Sequence, residues 1–232
     1  MMKKQFRGLI LLLSLLICFI FPAFCFASYD EYVDPRWKWY TTTDSKKCYV
    51  DTQSIEYDAT TQVAKVWTLF QHQENPSSKF LYEISFKTKK MNILRTVMAY
   101  PGGKMVSQDT NSKLGWHIEP DSEEEALANS VASILHINSP YAGGPNRWKW
   151  VHSTDTYGLY IAKDTIVYLP DIECFGIWAK RLDLNGHSTP HFYTMNFDAK
   201  LIYDETAMPD TFAPDSDEEY IFNATKELIG KA

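Results

Sequence analysis

His187 and His191 stand four positions apart with Asp183 just upstream, a donor set that suits a divalent metal when a helix brings i and i+4 to one face. Gly186 and Pro190 argue against such a helix, and no cysteine lies nearby, so the stretch reads as a solvated loop. His152 and Asp155 lie in the same half of the chain and, with His187 and His191, are the groups that a small-ligand or hydrolytic site in a cleft between the two halves of the chain would draw on. No stretch matches G-x-S-x-G, H-E-x-x-H, a phosphate-binding loop or a dinucleotide fingerprint. The expectation is therefore a non-enzymatic chain with no catalytic residue, metal or cofactor, and a ligand cleft is the alternative.

Binding is better represented. Arg36-Trp37-Lys38-Trp39 interleaves cations with indoles, an arrangement that can hold sugars or polyanions. The plainer expectation is a strand whose two tryptophans enter the core while Arg36 and Lys38 face solvent. Lys87, Lys89, Lys90 and Arg95 form a second basic cluster, fit either to meet an acidic surface or to guard an exposed strand edge. Trp116 closes a segment, from Tyr100 onward, that the second half of the chain lacks. Candidate binding residues are thus Trp116, Arg36, Lys38, Lys87, Lys89 and Lys90. The acidic run Asp121, Glu123, Glu124 and Glu125 is explained by the positive end of a helix macrodipole.

The elements that must position these residues come in duplicate. Arg36-Trp37-Lys38-Trp39 recurs as Arg147-Trp148-Lys149-Trp150, and the same displacement of 111 positions relates Tyr49 to Tyr160, Trp67 to Trp178, Tyr82 to Tyr193 and Phe86 to Phe197. Pro120-Asp121-Ser122 then matches Pro214-Asp215-Ser216 at 94, so the second copy is trimmed between Lys200 and Pro214. Alternating apolar residues predict five or six antiparallel strands per copy. S-x-x-E boxes at Ser122 and Ser216 each start a helix, with apolar faces along Ala126, Leu127, Val131, Ile134 and Leu135 and along Tyr220, Ile221, Ala224, Leu228 and Ile229. The expected fold is α+β: two tandem repeats, 36–137 and 147–232, each an antiparallel β-meander with one C-terminal helix packed on the sheet. The Gly- and Pro-rich linker 138–146 is short, so the repeats should touch, and the shared aromatics would suit a face-to-face pair or packing within each repeat.

Residues 1–27 pair a basic start (Lys3, Lys4, Arg7) with an apolar run, Pro22 and a small residue at Ala27, as an export signal does; 28–35 form an N-terminal extension. Left uncleaved, the segment is nearly long enough to anchor in a bilayer. Its removal takes the formal charge from −6 to −9, a poor field for nucleic acid. Cys48 and Cys174 would remain, to pair in an oxidising compartment or to stay as buried thiols. At 45% hydrophobic and 22% charged, with 15% aromatics, the chain has the composition of an ordered globular protein rich in β-structure.

Tyr49-Val50-Asp51-Thr52-Gln53-Ser54-Ile55, Val66-Trp67, Tyr82-Glu83-Ile84-Ser85-Phe86-Lys87 and Trp116-His117-Ile118-Glu119-Pro120-Asp121-Ser122 follow in an order that resembles the surface-adhesin protein E-like domain of bacterial envelope proteins. The likeness spans about 36 to 136, with a degraded copy over about 147 to 230. It implies a small antiparallel sheet with a terminal helix, export to the cell envelope, cell surface or medium, and a protein or surface polymer as partner. The family often has a cysteine where Phe86 and Phe197 stand, bridged to the terminal helix, so packing would replace that link. The second copy reads Ala162 and Thr165 where the first has Asp51 and Ser54.

Overall fold

The computed structural model describes residues 34–72, 77–100, 104–110, 115–204 and 211–231. The expected export signal and nearly all of the N-terminal extension lie outside the described residues. Strands β1 (Trp37–Thr42), β2 (Lys46–Asp51), β3 (Glu56–Asp58), β4 (Val63–His72), β5 (Ser78–Ser85), β6 (Lys90–Ala99), β7 (Met105–Asp109) and β8 (Trp116–His117) precede helix α1 (Glu123–Leu135). They form one antiparallel sheet in the order β1-β2-β4-β5-β6-β7, with β3 on β4 and β8 on β6. Strands β9 (Trp148–Ser153), β10 (Tyr157–Ala162), β11 (Val167–Leu169), β12 (Cys174–Asp183), β13 (Ser188–Asn196) and β14 (Leu201–Asp204) form the second, in the order β14-β13-β12-β10-β9 with β11 on β12, before helix α2 (Asp217–Leu228). The protein is α+β, mostly antiparallel sheet. Residues Trp37–Ala232 make one compact unit.

Each helix starts as its capping box dictates. Ser122 Oγ accepts from Glu125 N at 3.1 Å and Ser216 Oγ from Glu219 N at 3.2 Å. The glutamates reach one residue further back than in the usual box, to Asp121 N at 2.6 Å and Asp215 N at 2.7 Å. Asp121 and Asp215 both take left-handed backbone, as do Lys89 and Lys200 and also Gln62 and Glu173.

Each helix covers one face of its sheet. Leu127, Ala128 and Val131 close over Val50, Val66, Tyr82 and Ile84, and Ile221 and Phe222 close over Leu159, Ile161, Ile177 and Met195. Of the expected face of α1, Leu127 and Val131 are buried and Ile134 and Leu135 pack against the core, while Ala126 is half-buried and Ala128 and Ala132 are buried beside them. Phe197 meets Phe222 of α2 at 4.9 Å between ring centres, and Phe86 packs into the first core. Cys48 and Cys174 are separate buried thiols, so no bridge joins the sheets.

The tryptophan strands differ from expectation. Trp37 and Trp39 oppose Asp51 and Tyr49, and the register slips between Trp39 and Thr41, leaving Tyr40 as the bulge residue that joins the core. The slip puts both tryptophans on the face away from α1 and Lys38 opposite buried Val50. In β9 the same slip falls at Val151, and Lys149 reaches Glu227 of α2 at 3.0 Å. Trp39 and Trp150 are both 57% exposed, their indole N–H groups donating to Thr42 and Ser153.

Candidate functional site

The halves meet end to face. Sheet two carries Trp148, Ala162, Trp178 and Phe192 side by side on the face away from α2, where Gly176 leaves room for the Phe192 ring; a Cβ there would come within 2.2 Å of it. The β8–α1 corner of the first half closes this face. His117 stacks on Phe192 at 3.7 Å, and Trp148 Nε1 donates to Asp121 at 2.8 Å. The expected face-to-face pairing is not what joins them.

A buried charge cluster seals the corner. Arg147 donates to Asp121 at 2.9 Å, to both oxygens of Glu125 and to Asp164 at 3.1 Å. These carboxylates hold its guanidinium above the usual arginine range. Lys89 Nζ donates to the carbonyls of Asp164 at 2.8 Å and Ile166 at 3.3 Å, and burial pushes it down to about 8. Tyr141, in the linker, is buried beneath both cations and donates to Ile118 O at 2.5 Å. Left-handed Gly143 gives its N–H to Asp164 at 2.7 Å. The linker is thus packed structure, and Lys89, a candidate contact from sequence, is a joint between halves.

The other candidates scatter. Trp116 is half-buried against the first core, Lys90 lies in β6 opposite His117, Lys87 and Lys38 are exposed, and Arg36 is half-exposed. His152 stacks on Tyr220 at 4.0 Å, His187 pairs with Asp183 at 3.3 Å, His191 lies 6.4 Å from Tyr193, and Asp155 sits in an exposed turn. Among the described residues no group of three His, Cys, Asp or Glu side chains could hold a metal.

The segment that sets the first half apart, Tyr100 to Trp116, contains β7, which pairs with the far end of β6; residues 101–103 and 111–114 lie outside the described residues. In this hairpin Met98 opposes Val106 and Ala99 opposes Met105, and every residue of β7 is exposed. Met98, Tyr100 and Val106 are exposed on one face of this strand pair, and Met105, 60% exposed, lies on the other. Arg95 and Asp109 pair across its base at 2.5 Å. The break in the sequence displacement pointed at this segment; its exposed apolar residues were not singled out, because Met and Val in a strand read equally well as core.

The exchange of Ser54 for Thr165 turns out to be chemically silent. Ser54 Oγ accepts from Trp67 N at 3.0 Å and donates to Asp51 O at 3.0 Å; Thr165 Oγ1 does the same with Trp178 N at 3.1 Å and Ala162 O at 2.7 Å. Asp51 is a buried carboxylate, and Ala162 at the matching position is also buried.

No family model, curated protein or solved structure matches the chain.

Proposed function

We propose that this chain is an exported, non-enzymatic binding module of the bacterial cell envelope or surface, adhesin-like in use, that grips a protein partner through the β6–β7 hairpin. The observation that carries the reading is this strand pair: Met98, Tyr100 and Val106 exposed on one face and Met105 on the other, with β7 last in the sheet order among the described residues. Unbranched thioethers adapt to irregular apolar surfaces, and the outer edge of β7 offers main-chain groups for strand addition. Those features favour a polypeptide over a sugar polymer, which is better held by flat rings. Support for a surface-adhesin E-like fold comes from the motifs in 36–136, and for tandem duplication from the tryptophan bulges, the paired left-handed turns and the capping boxes that share the sequence displacements.

The experiment is saturable binding to immobilised cell-surface extract, with and without protease treatment of the extract. Met105→Asp with Val106→Asp, or deletion of residues 102–110, abolishes binding while Lys87→Ala does not. Binding that survives both hairpin variants refutes the reading; binding that survives protease reassigns the partner to a polymer. Export is checked by the N-terminus of the secreted chain, expected at Ser28.

A further inference from the structure

Both sides of the joint between the halves recur elsewhere on the chain. The side that docks consists of Lys89 and Asp121, each in a left-handed turn, with Glu125 holding the Asp121 N–H. The second half carries Lys200 and Asp215, also left-handed, with Glu219 holding the Asp215 N–H. Lys200 and Asp215 are exposed. The side that receives consists of Trp148, Trp178 and Phe192 behind Arg147, with the Asp164 and Ile166 carbonyls at its margin. The first sheet presents Trp37, Trp67 and Leu81 in the same register, Arg36 precedes Trp37 in the chain, and Gln53 and Ile55 occupy the marginal positions. Trp67 and Leu81 stay half-exposed where Trp178 and Phe192 are buried.

Resting on the duplication proposed above, we propose that the chain associates head to tail with further copies of itself, the Lys200–Asp215 corner of one copy closing over the Trp37–Trp67–Leu81 face of the next. The occupant that face fits must bring an ammonium group and a turn carboxylate ahead of a helix start, and the second half of this chain has them at matching positions. Charge agrees: Asp215, Glu218 and Glu219 lie at the docking corner (Asp217 is buried and paired with Arg181 at 2.6 Å), while Lys79 lies 5.3 Å from the Trp37 ring and Arg36 adjoins it in sequence. A contact of this kind is heterologous, joining two different surfaces, so it builds rings where the rotation closes and linear chains where it does not. It is weaker than the internal joint for stated reasons. Thr211 stands for His117, Asp51 for Ala162 and Lys65 for Gly176.

Sedimentation of the full chain between about 1 and 100 µM tests this: average mass rises with concentration and falls as salt is added. Two variants sharpen it, Leu81→Lys on the receiving face and Lys200→Glu with Asp215→Lys at the docking corner, their folding checked by circular dichroism. Each alone stays monomeric. Mixed, they form a complex of two copies and no larger, because one keeps a sound corner and the other a sound face. A wild-type chain monomeric throughout, association unchanged in both variants (as residues 1–33 or the hairpin would cause), or a mixture that gives no pairs overturns the inference. A monomeric chain that still binds through its hairpin sinks self-association and leaves the proposed function standing.

Discussion

The faces of the two sheets turned away from their helices carry matching rings and have opposite fates. In the second sheet Trp178 and Phe192 are buried, with His117 and Asp121 of the first half over Phe192 and Trp148; in the first, Trp67 and Leu81 at the matching positions are only partly buried. The difference arises outside the sheets. Chain order places the β8–α1 corner and the linker where they can cover β12 and β13, and similar local residues then do different energetic work. Truncation should expose this. Trp178→Ala removes a buried indole and costs about 4 kcal/mol, whereas Trp67→Ala costs about half that or less. Urea unfolding of the two variants measures it; equal losses would mean that the first face is as closed as the second.

Removal of the charge that locks the covered face comes next. Arg147→Met leaves Glu125 and Asp164 buried without their cation, a loss of about 3 kcal/mol. The exposed Lys38→Met changes stability by less than about 0.5 kcal/mol. If the joint is what couples the halves, the Arg147 variant also unfolds in two steps where the parent unfolds in one. A single transition at an unchanged midpoint would mean that packing of Phe192 and Trp178 holds the halves without help from charge.

How much of this could be read from residue types depends on the distance over which each feature is decided. The capping boxes at Ser122 and Ser216 are settled within four residues and are correct as read. Strand alternation is legible too, but Trp37 and Trp39 were expected on the wrong face, because one bulge residue at Tyr40 shifts a period-two pattern and nothing local announces it. Lys89 looked like a surface charge. Its φ of 55° and the carbonyls 75 and 77 positions away that it serves are properties of the assembled joint. Arg147 looked like a copy of Arg36, and sequence identity hid the difference between a buried anchor and a partly exposed residue.

Acid should open the covered face first. His117, buried against Phe192 and beside the charge of Lys90, is pushed down to about 3. The folded chain then keeps the imidazole neutral while the unfolded chain protonates it near 6.5, so stability falls as pH drops from about 6.5 towards 3. His117→Phe keeps an aromatic stack on Phe192 and removes that proton, so its stability declines less steeply across this window in pH-dependent thermal unfolding. A parallel decline would show that His117 is already charged in the fold.

The two thiols give the smallest contrast. Cys48 in β2 is fully buried beside Tyr40 and Glu123, and desolvation pushes it up to about 12, so almost no thiolate exists at neutral pH. Cys174 opens β12 with slight exposure, its Sγ 3.2 Å from the Ile172 carbonyl. Alkylation of the native chain should modify Cys174 slowly and Cys48 more slowly still, both becoming fast in denaturant, and a reductant should leave the melting temperature unchanged because no bridge is there to break. Rapid labelling of Cys48 in the native state would mean that α1 lifts from the first sheet far more often than its packing on Val50 and Val66 allows. The sheet with the more exposed outer face would then also be the one with the looser core.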